Sequence, residues 1–289
     1  MPASESPQTD QILLGENLEL LPRFADGSFQ LIYIDPPFNT GHAQVRKTLS
    51  VVSDSDGERT GFKGRRYSTQ LLAESSYRDA FDDYLGFLEP RLQHARRLLR
   101  DDGTLYFHID YREAHYVKLL LDEVFGRDAF LNELIWAYDY GAKPRRRWPA
   151  KHDTILVYVK DAARYFFDSQ TVDREPYMAP GLVSAEKLAR GKLPTDVWWH
   201  TIVPTNGAEK TGYPTQKPEG IVRRMLQAST RPGDWCLDFF AGSGTLGAVA
   251  AKLQRRYVLI DSNPDAVRVM RERLGAHEAV AVATRRHAP

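Results

Sequence analysis

The chain has 289 residues, with 39 Lys+Arg against 38 Asp+Glu and a single cysteine, Cys236. That length fits one large α/β domain with insertions, or a domain and a small subdomain, and one cysteine excludes both a disulfide framework and a Cys-based metal cluster. A formal charge of +1 excludes a uniformly basic coat for nucleic acid but leaves room for a local basic patch.

Residues 1–10 are polar and acidic, unlike a secretory signal. No apolar run approaches the ~18 residues of a membrane span, so a cytoplasmic location and no membrane partner are expected. Gln11–Leu14 reads as a short strand. Residues 31–34, Leu-Ile-Tyr-Ile, form a continuous apolar run ending at Asp35, the pattern of a strand buried on both faces. Pro36 and Pro37 stop it, since proline offers no N–H to a ladder. Residues 41–69 are polar, rich in Gly and Ser and without period, and read as a long functional or disordered loop. Pro90 can open a helix whose apolar face is Leu92, Ala95, Leu98 and Leu99. Asp102-Gly103 then turns the chain into a buried strand at 105–109, followed by a helix over 113–125.

A further strand is expected at 154–159, inside a Pro-, Arg- and Trp-rich stretch of weak period that runs from 140 to 212. A helix over 219–229 leads into a strand at 235–239, a glycine loop, a small-residue helix and a strand at 257–260 that ends at Asp261. Asn263-Pro264 opens the last helix. Strand and helix alternate, which predicts a doubly wound, mostly parallel sheet with an excursion in the middle.

Two strand ends carry chemistry. Gly242-x-Gly244-x-x-Gly247, between a strand and a helix and followed by an acid at the next strand end, is a nucleotide-binding pattern. Its glycines let backbone approach a ligand, and Asp261 can accept from ribose hydroxyls. Asp238, just before the loop, would repel a pyrophosphate and suits a cationic amino group. Only about 40 residues follow, too few for the second half of a dinucleotide domain in its usual order. A ligand with adenosine, an ammonium and no phosphate is S-adenosylmethionine, which these residues favour over NAD. The other strand end is Asp35-Pro36-Pro37-Phe38. The prolines leave carbonyls without competing local donors, Asp35 adds a carboxylate, and Phe38 a flat apolar face. Such acceptors suit an exocyclic NH₂ on a planar ring. Binding both amine protons would aim the nitrogen lone pair at an electrophile, while Phe38 stacks on a base extruded from its duplex.

Tyr33-Ile34-Asp35-Pro36-Pro37-Phe38-Asn39-Thr40-Gly41, followed by Thr215-Gln216-Lys217-Pro218 and by Asp238-Phe239-Phe240-Ala241-Gly242-Ser243-Gly244-Thr245, resembles the β-class amino-methyltransferases of DNA. In that class the catalytic motif precedes the cofactor motif, with a target-recognition region between them. The resemblance implies a Rossmann-like fold with circularly permuted motif order. Residues 1–139 would be the catalytic half, 140–212 the recognition region and 213–289 the cofactor half. It implies that Asp35 to Phe38 form the catalytic turn, that Asp238, Phe240, Gly242, Gly244 and Thr245 cradle S-adenosylmethionine, and that Asp261 takes the ribose. Thr215 and Lys217 would lie beside the methionine end, Lys217 against its carboxylate. The class more often has Tyr at position 38 and Glu at position 261, so Phe38 keeps the stack without a hydroxyl and Asp261 reaches less far.

Lys143, Arg145, Arg146, Arg147 and Lys151 form a basic segment without an acid, and Arg65-Arg66 a smaller cluster; phosphate neutralisation on double-stranded DNA is the expected use. The eight histidines make no H-x-x-x-H or H-x-H pattern with acids, so no metal site is expected. The reading is methyl transfer from S-adenosylmethionine to an exocyclic amino group of a DNA base. The family's habit with Asp at the turn favours adenine N6, with cytosine N4 as the alternative. An amino-methylating enzyme of RNA or protein, and an inactive DNA-binding module, are the rival classes. A homodimer and a companion restriction enzyme are open partners.

Overall fold

The computed structural model describes residues 4–38, 44–53, 59–60, 66–77, 81, 83–141, 144–204 and 206–275. The chain forms two compact units, one of Met1–Pro36 with Leu85–Pro289 and one of Pro37–Tyr84.

In chain order the larger unit contains β1 (Gln11–Leu14), α1 (Asn17–Leu20) and β2 (Phe29–Ile34). The smaller unit holds β3 (Gln44–Ser53), β4 (Arg59–Thr60) and β5 (Arg66–Tyr77), and α2 (Tyr84–Leu98) returns the chain to the larger one. There follow β6 (Leu99–Ile109), α3 (Ala114–Phe125), β7 (Phe130–Ala137), β8 (His152–Val159), α4 (Ala185–Arg190) and β9 (Val197–Trp199). The last elements are α5 (Glu219–Ser229), β10 (Trp235–Asp238), α6 (Thr245–Lys252), β11 (Arg256–Asp261) and α7 (Pro264–Leu274). No helix among the described residues is long and apolar enough to cross a membrane.

The larger unit is built on an eight-stranded sheet of order β1-β11-β10-β2-β6-β8-β7-β9. Strands β1, β11, β10, β2 and β6 run parallel; β8 is antiparallel to both β6 and β7, and β9 returns parallel to β7. This is the expected doubly wound, mostly parallel sheet. Every residue of β2 is buried, as a central strand covered on both faces must be. One face packs on α5, α6 and α7 through Leu31, Tyr33, Tyr106, Cys236, Ile221, Met225, Leu246 and Met270. Helices α2 and α3 bury Leu88, Leu92, Ala95, Leu98, Val117 and Leu121.

Four sequence expectations are corrected. Residues 41–69, read as a loop, include most of a three-stranded antiparallel sheet of order β3-β5-β4; β-branched Val45, Thr48, Val51 and Val52 carry that strand propensity. Pro90 lies inside α2 rather than at its start. Asp102-Gly103 is a bulge within β6 rather than a turn before it, since Phe29 pairs with Leu99 and Leu31 with Thr104. Strand β7 had no counterpart in the sequence reading, because its residues alternate imperfectly between core and surface.

Candidate active site

Strands β2 and β10 are neighbours at the centre of the sheet. From the end of β10 the chain runs through α6 to β11 on one side, and from β2 it proceeds to β6 on the other. Between them is a topological switch point, where an open α/β sheet leaves a crevice beyond the carboxyl ends of its strands. The adjacent strands β11, β10 and β2 end at or just before Asp261, Asp238 and Asp35. The two motifs, about 200 residues apart in sequence, thus meet at one edge of one sheet.

Asp35 and Lys217 form an ion pair in which Nζ meets Oδ2. The side chains are only 16% and 10% exposed, so the pair is largely removed from water. The other oxygen, Asp35 Oδ1, is buried without a hydrogen-bond partner among the described residues. A buried acceptor of that kind costs about 1–3 kcal/mol unless something donates to it. Asp238 is buried, and its Oδ1 accepts from the Phe240 amide at 3.0 Å. Burial pushes its pKa well above the ordinary carboxylate range, and the charges of Asp35 and Asp261 add to the rise against the Phe240 hydrogen bond and Lys217. Asp261 accepts from the amides of Gly242 and Asn263, each at 2.8 Å. Burial raises its pKa too, and the charge of Glu16 reinforces this.

The glycines divide their work. Gly242 has φ +49°, and a Cβ there would lie 3.3 Å from the Tyr213 ring. Gly244, at φ +71°, heads α6, and its Cβ would fall 2.7 Å from Met270 Cγ. At Gly247 a Cβ would reach Leu259 Cδ1 at 2.6 Å. The first glycine therefore admits the 213–217 loop, while the other two let α6 pack closely on α7 and β11.

That loop is tied down by Gln216, whose amide donates to Glu209 O at 2.6 Å and accepts from the Thr211 N–H at 2.9 Å. Thr245 Oγ1 donates to Lys217 O at 3.1 Å, so Thr245 anchors the lysine's backbone. Thr215 is exposed at φ +59°. Phe240 is half-buried, and its ring stands 6.0 Å from that of Phe87.

Several contributors are not among the expected site residues. Asn17 Nδ2 donates to Phe239 O at 3.0 Å, and Arg91 Nε donates to Asn17 Oδ1 at 2.8 Å. Behind Asp35, Tyr33 Oη meets His108 Nδ1 at 3.0 Å, and His108 Nε2 meets Asp153 Oδ2 at 3.1 Å. Tyr138 donates to Asp153 Oδ1 at 2.9 Å. Burial alone would raise the Asp153 pKa, but hydrogen bonding and charge from His108, with the charge of Lys217 and the Tyr138 hydroxyl, hold it below the usual value.

Of the expected site residues, the larger unit brings together Asp35, Lys217, Asp238, Asp261, Gly242 and Thr245; Pro36 is buried beside Asp35. Pro37 and Phe38, both half-buried, belong to the smaller unit. Arg145, Arg146 and Arg147 are exposed, whereas Lys151 spends its ammonium on the carbonyls of Tyr140 and Gly141 at 2.6 and 2.8 Å. Arg66 opens β5, and Arg65 and Lys143 lie outside the described residues.

The residues fit S-adenosylmethionine. A glycine-lined turn stands beside a buried acid at a strand end, and among the described residues Asp35, Asp238 and Asp261 outnumber Lys217, a field suited to a cationic ligand.

Comparison with known proteins agrees. The sequence model of a DNA methylase family, the N6/N4 methyltransferases, matches residues 29–272. The type II methyltransferase M.HpaI of Haemophilus parainfluenzae is 29% identical over 266 residues, 92% of this chain and 74% of that protein. The DNA adenine methyltransferase YhdJ of Escherichia coli (strain K12) is 28% identical over 271 residues, 91% of this chain and 82% of that one. In fold, the chain is similar to the PvuII DNA methyltransferase (cytosine-N4-specific), with a TM-score of 0.64 at 16% identity over 93% of this chain and 87% of that one; solved chains of the same fold include complexes with S-adenosylmethionine. The match over residues 29–272, with both motifs at one sheet edge, places the chain in the N6/N4 family of DNA methylases, enzymes that use S-adenosylmethionine and act on double-stranded DNA.

Proposed function

We propose that this methylase acts at specific sites, transferring a methyl group to the N6 amino group of an adenine extruded from the duplex. The observation that carries the mechanism is the divided state of Asp35, with one oxygen on Lys217 and the other buried without a hydrogen-bond partner among the described residues. Lys217 keeps the carboxylate oriented while Oδ1 accepts a proton of the target amine. The Pro36 carbonyl is the natural second acceptor, and together they favour a pyramidal nitrogen with its lone pair directed outward. S-adenosylmethionine, when bound, supplies a methyl group already activated by its sulfonium. Gly242, Asp238, Phe240 and Asp261 would hold its adenosine and ammonium portions, with Lys217 and Thr215 toward its carboxylate. Transfer would exchange the donor's S–CH₃ bond for an N–CH₃ bond, its electron pair staying on sulfur as the neutral thioether of S-adenosylhomocysteine, while the amine's surplus proton departs along the hydrogen bond to Asp35 Oδ1. Phe38 stacks on the base in this reading.

The Asp at the head of the turn and the 28% identity to an adenine methyltransferase support adenine. Cytosine N4 is the second reading, favoured by the cytosine-N4-specific neighbour in fold. Residues 140–212 supply target recognition, with Arg65, Arg66, Lys143, Arg145, Arg146 and Arg147 on phosphates. The enzyme works in the cytoplasm as a homodimer, and the identity to a type II methyltransferase supports a companion restriction enzyme. Tritiated methyl transfer to unmethylated plasmid, followed by nucleoside chromatography, tests the reading. N6-methyladenine is expected, with at least about a hundredfold loss of rate in Asp35→Ala. Full activity in that variant removes the mechanism, and N4-methylcytosine replaces the base.

A further inference from the structure

The 138–151 connection leaves the sheet at the catalytic edge. Ile34 pairs with Phe107, Ile109 with Thr154, and Ala137 with His152, so this hairpin projects from the end of the sheet at which Asp35 lies. It stands two to three strands across from β2, roughly 10–14 Å at ordinary strand spacing. Its base is pinned: the Tyr138 amide donates to Lys151 O at 2.9 Å, and Lys151 Nζ binds the carbonyls of Tyr140 and Gly141. Its tip reads Pro144-Arg145-Arg146-Arg147-Trp148-Pro149, in which prolines limit the backbone on both sides.

Trp148 is 95% exposed. By contrast, Trp136 and Trp198 of the same region are buried, so the region has core positions for indoles and this one is held outside them. An indole in water forgoes roughly 2–3 kcal/mol of burial; its flat face, flanked by three guanidiniums and no acid, matches a stack of bases inside a phosphate backbone. Two more exposed aromatics stand at the foot of the hairpin, Tyr140 at 67% and Trp199, which pairs with Ala137, at 74%.

Resting on the proposed function, we infer that Trp148 enters the duplex and occupies the gap left by the extruded base, while Arg145, Arg146 and Arg147 grip the adjoining phosphates. Extrusion unstacks a base at a cost of a few kcal/mol. An aromatic face that refills the gap offsets part of that cost and holds the open state.

The test uses a duplex built on the site that sequencing finds methylated by the wild-type enzyme, with 2-aminopurine at the target position, or pyrrolocytosine if the modified base is cytosine. Fluorescence is read at saturating protein with S-adenosylhomocysteine present. Trp148→Ala lowers the extrusion equilibrium roughly 5- to 150-fold, and Trp148→Phe retains most of it. The triple variant R145A/R146A/R147A needs more protein to saturate yet reaches the wild-type signal. S-adenosylhomocysteine binds Trp148→Ala as it binds wild type, which establishes that the variant is folded. A wild-type signal from saturated Trp148→Ala overturns the inference, as does an equal loss of saturated signal in the arginine variant. A wild-type enzyme that methylates no DNA instead overturns the function on which the inference rests.

Discussion

Asp238 is a buried acid at the end of β10. Its folded pKa is raised, so the folded protein binds this proton more tightly than the unfolded chain does. Stability conferred by the fold around it therefore falls as pH rises from the ordinary carboxylate value through the folded one. A bound cation favours the ionised form and reverses that loss. Cofactor affinity is thus expected to rise with pH by at most about tenfold per unit for this one proton, then to level off. Calorimetry in buffers of different ionisation enthalpy will count the proton released, and Asp238→Asn will abolish the release. Gly244 yields a second prediction. Gly244→Ala places a Cβ 2.7 Å from Met270 Cγ at φ +71°, whereas Gly275→Ala has a similar φ of +63° and no atom of the described residues within 4 Å. The left-handed conformation alone costs about 1–2 kcal/mol and overpacking about 1–3 more. Urea unfolding is expected to show Gly275→Ala losing only the first and Gly244→Ala both.

At the scale of elements, what the sequence disclosed follows from how each element is buried. Strands β2, β10 and β11 are covered on both faces and read as unbroken apolar runs, so they and their terminal acids were legible. Strands β3 and β5 lie in a stretch whose Gly and Ser content masked its β-branched residues, and Pro90 sits inside a helix although proline usually marks a boundary. Asn17 reaches the site's backbone, and Arg91 reaches Asn17, through tertiary contact that no local pattern announces; Asn17 lies 222 positions from the carbonyl that it binds. His108 pairs with Asp153 from β8, while Asp110, two residues further on, holds Arg112. The 138–151 hairpin carries an element-scale prediction. On the proposed function its three exposed arginines contact phosphates without reading sequence, so R145A/R146A/R147A should lower the slope of log affinity against log salt by about 2.7. Filter binding between 50 and 200 mM salt, at roughly the range where such slopes are measured, checks it; an unchanged slope would show that the guanidiniums stay clear of DNA.

Across the whole molecule, adjacency in the sheet matters more than order along the chain. Strands β2 and β10 touch although the Asp-Pro-Pro-Phe turn comes first in sequence and the glycine loop last. Helix α7 packs against β1, so the first strand and the last helix of the larger unit are neighbours. A circular permutant that links the two ends of this chain and is reopened between Asn206 and Gly207 is expected to refold and methylate DNA at a similar rate, with the glycine loop now leading. Melting by circular dichroism and tritium transfer will check it, and a folded but inactive permutant would show that the motif order itself contributes.

The nearness of Asp35 and Asp261 to the buried Asp238, with Lys217 paired to Asp35, also bears on turnover. On the proposed function, these acids would grip a positively charged donor more firmly than the uncharged thioether left once the methyl has gone. Transfer would then weaken the hold on its own by-product, so that the acids admitting a fresh donor would also hasten the exit of the spent one.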